Sequence, residues 1–134
     1  MLIRFMIYGL IGWCIEITWT GLGSAFSGDK KLTGYTYLWM FPIYGLAVLL
    51  EPVHDMIVNW PWVLRGGIWI GMIYLIEYIT GWLIQSYTGR CPWDYGNTKY
   101  AVKGLIRLDY APAWLLAGLL FERIHVFLDR IFPV

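Results

Sequence analysis

Apolar residues run along this chain in stretches of about 20, separated by short polar breaks, instead of recurring at the three-to-four spacing of an amphipathic surface helix. The first stretch covers 3–26 and closes at Ser27-Gly28-Asp29-Lys30-Lys31. The second, 35–50, holds Pro42 and stops at Glu51-Pro52, with His54 and Asp55 just beyond. Proline inside a helix removes a backbone donor, so a kink is expected there. The third, 68–85, follows Arg65-Gly66-Gly67 and has Trp60 and Trp62 ahead of it, where interfacial aromatics belong.

The fourth stretch, 104–122, is less regular. Arg107 and Asp109 interrupt it before the charge-free run 110–121, which is short for a crossing. Either those two residues face the bundle interior, or the span continues through Glu122 and Arg123. After it, Ile124, Phe127, Leu128 and Ile131 recur at helical spacing among His125, Asp129 and Arg130, which predicts an interfacial C-terminal helix. Between the third and fourth stretches, 86–103 is too polar to face lipid and too aromatic for an ordinary loop. Its Arg90-Cys91-Pro92-Trp93-Asp94-Tyr95-Gly96-Asn97 core predicts a re-entrant or interfacial segment folded back on the helices.

The pattern therefore predicts an all-α integral membrane protein, a single bundle of four transmembrane helices over 1–134. Composition agrees: 59% of the 134 residues are hydrophobic and only 14% charged, too few to keep the chain dissolved, so the lipid bilayer is its solvent. No small-residue cleavage site follows Met1-Leu2-Ile3-Arg4, so the first helix reads as retained. With four spans both termini share one face. Arg4, Arg65, Arg123 and Arg130 lie on that side, against Lys30, Lys31, Arg90, Lys99, Lys103 and Arg107 opposite, a weak bias that leaves dual insertion open. The expected location is the cell membrane.

A net charge of +1 and the lack of any basic run exclude nucleic acid as a partner. Cys14 and Cys91 supply neither a disulfide framework nor a metal-ligand set. Glu51, His54 and Asp55 have helical spacing, but Pro52 and their interfacial position favour solvated polar residues, so neither a metal nor a cofactor is expected. No Walker loop, metalloprotease helix or nucleophile elbow is present, and Ser24, Ser27 and Ser86 have no matching His and Asp, so an enzyme is not expected.

Candidate chemistry lies in two glutamates. Glu16 and Glu77 sit inside apolar spans, where an acidic residue costs about 2.5 to 3.5 kcal/mol at the helix centre. Protonation, a bound cation or hydrogen bonds from neighbouring helices would offset that cost, and each requires an inward-facing side chain. Trp13 and Thr20 flank Glu16 by a turn, and Tyr74, Thr80 and Gly81 flank Glu77. Two carboxylates among aromatic rings suit a small cation or protonated amine. An interhelical lock explains the same residues equally well. Pro42, Tyr44 and Gly45 lie within one turn, where proline serves packing or frees a carbonyl. Asp94, between Trp93 and Tyr95, has a charge that would pair with Arg90, Lys99, Arg107 or a substrate, and Arg107 and Asp109 could pair with each other. Glu16-Ile17-Thr18-Trp19-Thr20-Gly21 is faintly echoed by Glu77-Tyr78-Ile79-Thr80-Gly81, on helices of the same direction, but so short a match arises by chance as readily as by duplication.

Several of these segments in this order resemble the CmpB-like family of small membrane proteins, labelled ABC-transporter type IV permeases, with vertebrate four-span relatives. The carriers are Tyr8-Gly9-Leu10-Ile11-Gly12-Trp13-Cys14-Ile15-Glu16, Pro42-Ile43-Tyr44-Gly45, Glu77 with Thr80-Gly81, and Trp93-Asp94-Tyr95 followed by Gly104 and Trp114. The resemblance implies a transport component, and an ABC permease implies a nucleotide-binding ATPase partner, since this chain has no Walker motif. The chain departs from the family pattern in its longer Arg90-Cys91-Pro92 approach and in Arg107 and Asp109 at the start of the last span. The Glu16 helix alone is also similar to the first helix of small multidrug-resistance exporters, which exchange protons for cations at one membrane glutamate.

The leading expectation is a transporter or permease component with a polar site made by Glu16, Glu77, Tyr44, Trp93, Asp94 and Tyr95, supported by Trp13, Pro42, Gly45, Thr80, Gly81, Arg107 and Asp109. The alternative is a structural or accessory membrane protein that binds a partner or lipid and uses the glutamates as locks. A bundle this thin also suggests a homodimer through its glycine-rich faces.

Overall fold

In the computed structural model the described residues are 1–96 and 98–133; Asn97, the end of the aromatic segment singled out above, lies outside them. Four helical stretches are long and apolar enough to cross a membrane, Leu2–Phe26, Met40–Ile57, Trp62–Thr88 and Leu108–Ile131. The all-α membrane architecture follows, because only a helix satisfies its own backbone polar groups in lipid. The chain divides into two compact units, 1–51 and 52–133.

In the first unit, α1 (Leu2–Phe26) is followed by a loop in which Asp29 accepts from the Lys31 N–H at 2.9 Å and the Thr33 N–H at 3.1 Å. The Thr33 side chain, together with those backbone bonds, holds the Asp29 carboxyl below its ordinary range. After Leu32, residues 33–37 run alongside α1. Ser24 Oγ donates to the Thr33 carbonyl at 2.6 Å, and Thr20 Oγ1 accepts from the Tyr35 N–H at 2.9 Å. With those backbone groups engaged by α1 side chains, the second span does not start at residue 35: α2 runs Met40–Gly45 and continues as a 3-10 turn, Leu46–Leu50, into α3 (Glu51–Ile57). Pro42 consequently sits in the first turn, where a missing N–H leaves no intrahelical bond unmade, and the expected mid-span kink gives way to a helix start. Gly45 presses on the Phe5 ring, where an added Cβ would come within 2.6 Å.

In the second unit, α4 (Trp62–Thr88) ends at Gly89, whose φ of +79° is the left-handed cap that favours glycine. The segment after it does fold back. A two-residue hairpin pairs β1 (Ala101–Val102) with β2 (Ile106–Arg107), turning through Lys103 and Gly104, and buries Leu105 to 2% exposure. Arg107 and Asp109 pair with each other at 2.8 Å at its exit, so they interrupt no helix and line no bundle interior. A single 3-10 turn leads into α5 (Ala111–Ile131), and the residues expected to form a separate interfacial tail continue α5 without a break. Gly66 faces Leu115 and Gly118 faces Trp69 so closely that a methyl at either would collide. Backbone approach at small residues is the packing device available where lipid removes the hydrophobic drive.

Candidate functional site

Glu16 and Glu77 each have their own donors. On α1, Glu16 Oε2 accepts from the Tyr44 hydroxyl at 2.6 Å and from Thr36 Oγ1 at 3.1 Å. Gly12, one turn earlier, makes this possible, since a Cβ there would occupy the space of the Tyr44 ring. Trp13 donates its indole N–H to the Tyr37 carbonyl at 3.1 Å and packs on Phe41, which fixes the approach of the following helix.

Glu77 is met by the aromatic segment. Trp93 lies against Gly81 and donates to the Leu105 carbonyl at 2.8 Å, while Tyr95 OH donates to Glu77 Oε1 at 3.0 Å. Positions 77 and 81 are one turn apart on a helix face, so the two aromatics meet two successive turns of α4. Asp94, between them, points elsewhere. Its Oδ1 accepts from the Gly96 N–H at 2.7 Å and closes on Gly104, so it is a turn residue paired with none of Arg90, Lys99 or Arg107. A cleft lined by Arg90, Cys91, Trp93, Asp94 and Lys103 opens there. Burial pushes the Cys91 thiol up from its ordinary value.

The remaining wall of the Glu77 site is aromatic. Tyr95, Tyr110 and Trp114 pack edge to face in series, with centroids 5.5 and 5.9 Å apart. Arg107 covers Tyr110 at 4.7 Å from the ring centre, and Asp109 holds its guanidinium above the ordinary value. The Trp114 indole faces the Glu77 carboxyl. Glu77 Oε2 and Trp114 Nε1 are both fully buried and face each other, with no close, well-aligned hydrogen bond to one another or to any other described residue. Of the supporting residues, Thr80 donates to the Ile76 carbonyl of its own helix at 2.6 Å, and Pro42 and Gly45 serve packing.

Two further carboxylates, Glu51 and Glu122, are polar centres that sequence reasoning missed. Arg4 Nε and Tyr8 OH both donate to Glu51 Oε1 at 2.8 Å. Arg65 Nε and Trp69 Nε1 both donate to Glu122 Oε1 at 2.8 Å, and Arg65 Nη2 reaches Oε2 at 3.0 Å. Arg4, Tyr8, Trp13 and Glu16 correspond to Arg65, Trp69, Tyr74 and Glu77 at one constant offset, and Glu51 and His54 correspond to Glu122 and His125 at another. The contacts correspond as well: Trp13 donates to the Tyr37 carbonyl, and Tyr74 to the Leu108 carbonyl at 2.7 Å. Two helix pairs, α1 with α2–α3 and α4 with α5, thus repeat one set of contacts, and the Thr-Gly of the Glu-Thr-Gly echo, one residue out of register with the first offset, is not part of it. The signal was present as Arg-x3-aromatic-x7-Glu and Glu-x2-His, each occurring twice.

No solved structure matches the chain. A family model does match residues 3–132, nearly all of the chain, and so covers all four apolar helices. The chain is a multi-pass membrane protein and belongs to the family described as "Putative ABC-transporter type IV".

Proposed function

We propose that the protein is a permease component of a transporter in the cell membrane, and that Glu77 with its aromatic wall binds a small organic cation or protonated amine. The observation that carries this reading is the pair of buried atoms, Glu77 Oε2 and Trp114 Nε1, which face each other without a well-made hydrogen bond. A buried polar atom without a partner costs about 1–3 kcal/mol. A proton or a cation on Glu77 removes that cost, and a ligand that also accepts a hydrogen bond would satisfy Trp114 too. Tyr95, Tyr110 and Trp114 supply π faces for the cationic end of the ligand. Protonation and ligand binding at one carboxylate exclude each other, so alternation between them couples ligand movement to protons or to a partner's conformational cycle. The family description points to an ATPase as that partner, and a homodimer would widen the path that one thin bundle offers.

The two glutamates divide the two readings between them. Glu16 Oε2 receives two hydrogen bonds, which favours an interhelical lock there, whereas Glu77 Oε2 has no well-made hydrogen bond and is faced by the Trp114 indole. The test is thermal stabilisation of the purified protein in detergent by a panel of primary, tertiary and quaternary amines, across pH. The expected result is saturable stabilisation that strengthens as Glu77 deprotonates and is lost in Glu77→Gln and Trp114→Phe. Equal stabilisation of Glu77→Gln by the same amines would overturn the proposal and leave the accessory reading in its place.

A further inference from the structure

Each copy of the duplicated helix pair ends in Glu-x2-His, and in both turns the glutamate is occupied by an arginine from the preceding long helix. The histidines of the two turns meet. His54, in the last turn of α3, and His125, on α5, are 5% and 2% exposed, with ring centres 4.9 Å apart and planes nearly perpendicular. His125 is further oriented by stacking on Phe121, at 6.0 Å and an interplanar angle of 5°.

Asp55 lies on both. Its Oδ1 is 2.9 Å from His125 Nε2 and 3.4 Å from His54 Nδ1, and one potential ligand atom from each of the three residues falls within 4.8 Å of the others. Asp129, one turn after His125, brings Oδ2 to 3.5 Å from the same Nε2. In a tetrahedral zinc site with metal–nitrogen bonds of about 2.0–2.1 Å, ligand atoms stand about 3.3 Å apart; the carboxylate–imidazole distances here are 2.9, 3.4 and 3.5 Å, and the three-residue cluster fits within 4.8 Å.

From this geometry we propose that His54, Asp55 and His125, with Asp129 as the fourth donor, form a binding site for a borderline divalent transition-metal ion, zinc or a neighbour such as cobalt or nickel. Two imidazoles with carboxylate oxygens select these ions over magnesium and calcium, which take oxygen ligands. The carboxylates of Asp55 and Asp129 match the charge of a divalent ion. Asp55 is 63% exposed, which gives an ion a way in, while the buried rings fix the nitrogen positions. Glu122, already held by Arg65, is not a ligand. A bound ion would staple the end of α3 to α5.

The test is titration of the purified chain, carrying a tag without histidines, with cobalt(II) followed by its d–d absorption, then with zinc. The expected result is one cobalt per chain with a tetrahedral spectrum, displaced by zinc and indifferent to magnesium. His54→Gln and His125→Gln should abolish the spectrum, and Asp55→Asn should weaken binding by about tenfold or more. Asp55 is exposed, so its variant stays folded and keeps the test meaningful if a histidine variant does not. Failure of the wild type to bind cobalt or zinc saturably, or unchanged affinity in Asp55→Asn and in the folded histidine variants, would overturn the proposal.

Discussion

Arg65 grips Glu122 with two nitrogens on two oxygens, at 2.8 and 3.0 Å, across 57 positions of sequence. In the other copy Arg4 brings Nε and Nη2 each to 2.8 Å from Glu51 Oε1, with its own side chain 1% exposed. Charged pairs of this kind tie the start of each long helix to the later helix of its pair, and an aromatic donor one turn along completes each one. Fixed by such anchors, each helix pair can carry its mid-span glutamate in a defined place.

Removing one partner of a buried pair strands the other. Arg4→Met should destabilise the protein by about 3–5 kcal/mol, and adding Glu51→Gln to it should recover part of the loss. Denaturation of both variants in detergent micelles checks this, and a single variant as stable as the wild type would contradict the anchor.

The duplication predicts matched effects. Tyr8→Phe and Trp69→Phe each remove one donor from the anchored glutamate while keeping a ring, and each should cost about 1–2 kcal/mol. A large loss in one copy with none in the other would show that the two copies no longer share a structural role.

Gly12 is expected to control Glu16. Gly12→Val should drive the Tyr44 ring away and so break its 2.6 Å bond to the carboxylate, whereas Tyr44→Phe breaks the same bond without a clash at a cost of about 1–3 kcal/mol. If the bond is what matters, the double variant should be little worse than Gly12→Val alone in the same denaturation assay.

Arg107 and Asp109 give the contrasting case. Both are one-third exposed, so Asp109→Asn should change stability by less than about 1 kcal/mol despite the 2.8 Å pair. A loss of several kcal/mol would mean that the exit of the hairpin is held by more than its neighbours in sequence.

The raised Cys91 thiol sets a pH profile. A thiol whose value is raised holds less thiolate at a given pH, so maleimide labelling of Cys91 in the Cys14→Ser protein should be slower than that of a free thiol at neutral pH. Its rate should keep climbing with pH after the free thiol has levelled off. Coincident profiles would contradict the burial of that sulfur.

The sequence by itself determined the solvent and the number of spans, because runs of about 20 apolar residues with few charges have one stable home. It also marked Glu16 and Glu77, since an acid in lipid must be explained. Trp93, Asp94 and Tyr95 were legible as a group but not by role, because which of them faces α4 depends on the course of the backbone between a helix cap and a hairpin. Only the tertiary structure decided where the second span begins, because Thr20 and Ser24 compete for the backbone groups of the segment before it. Only it separated the satisfied Glu16 from the half-satisfied Glu77, and brought His54 and His125 within reach of one carboxylate across 70 positions between Asp55 and His125. Charges near the ends of apolar runs look like interfacial residues in a linear reading; their pairing is a long-range geometric fact, fixed when glycines let the helices close on one another.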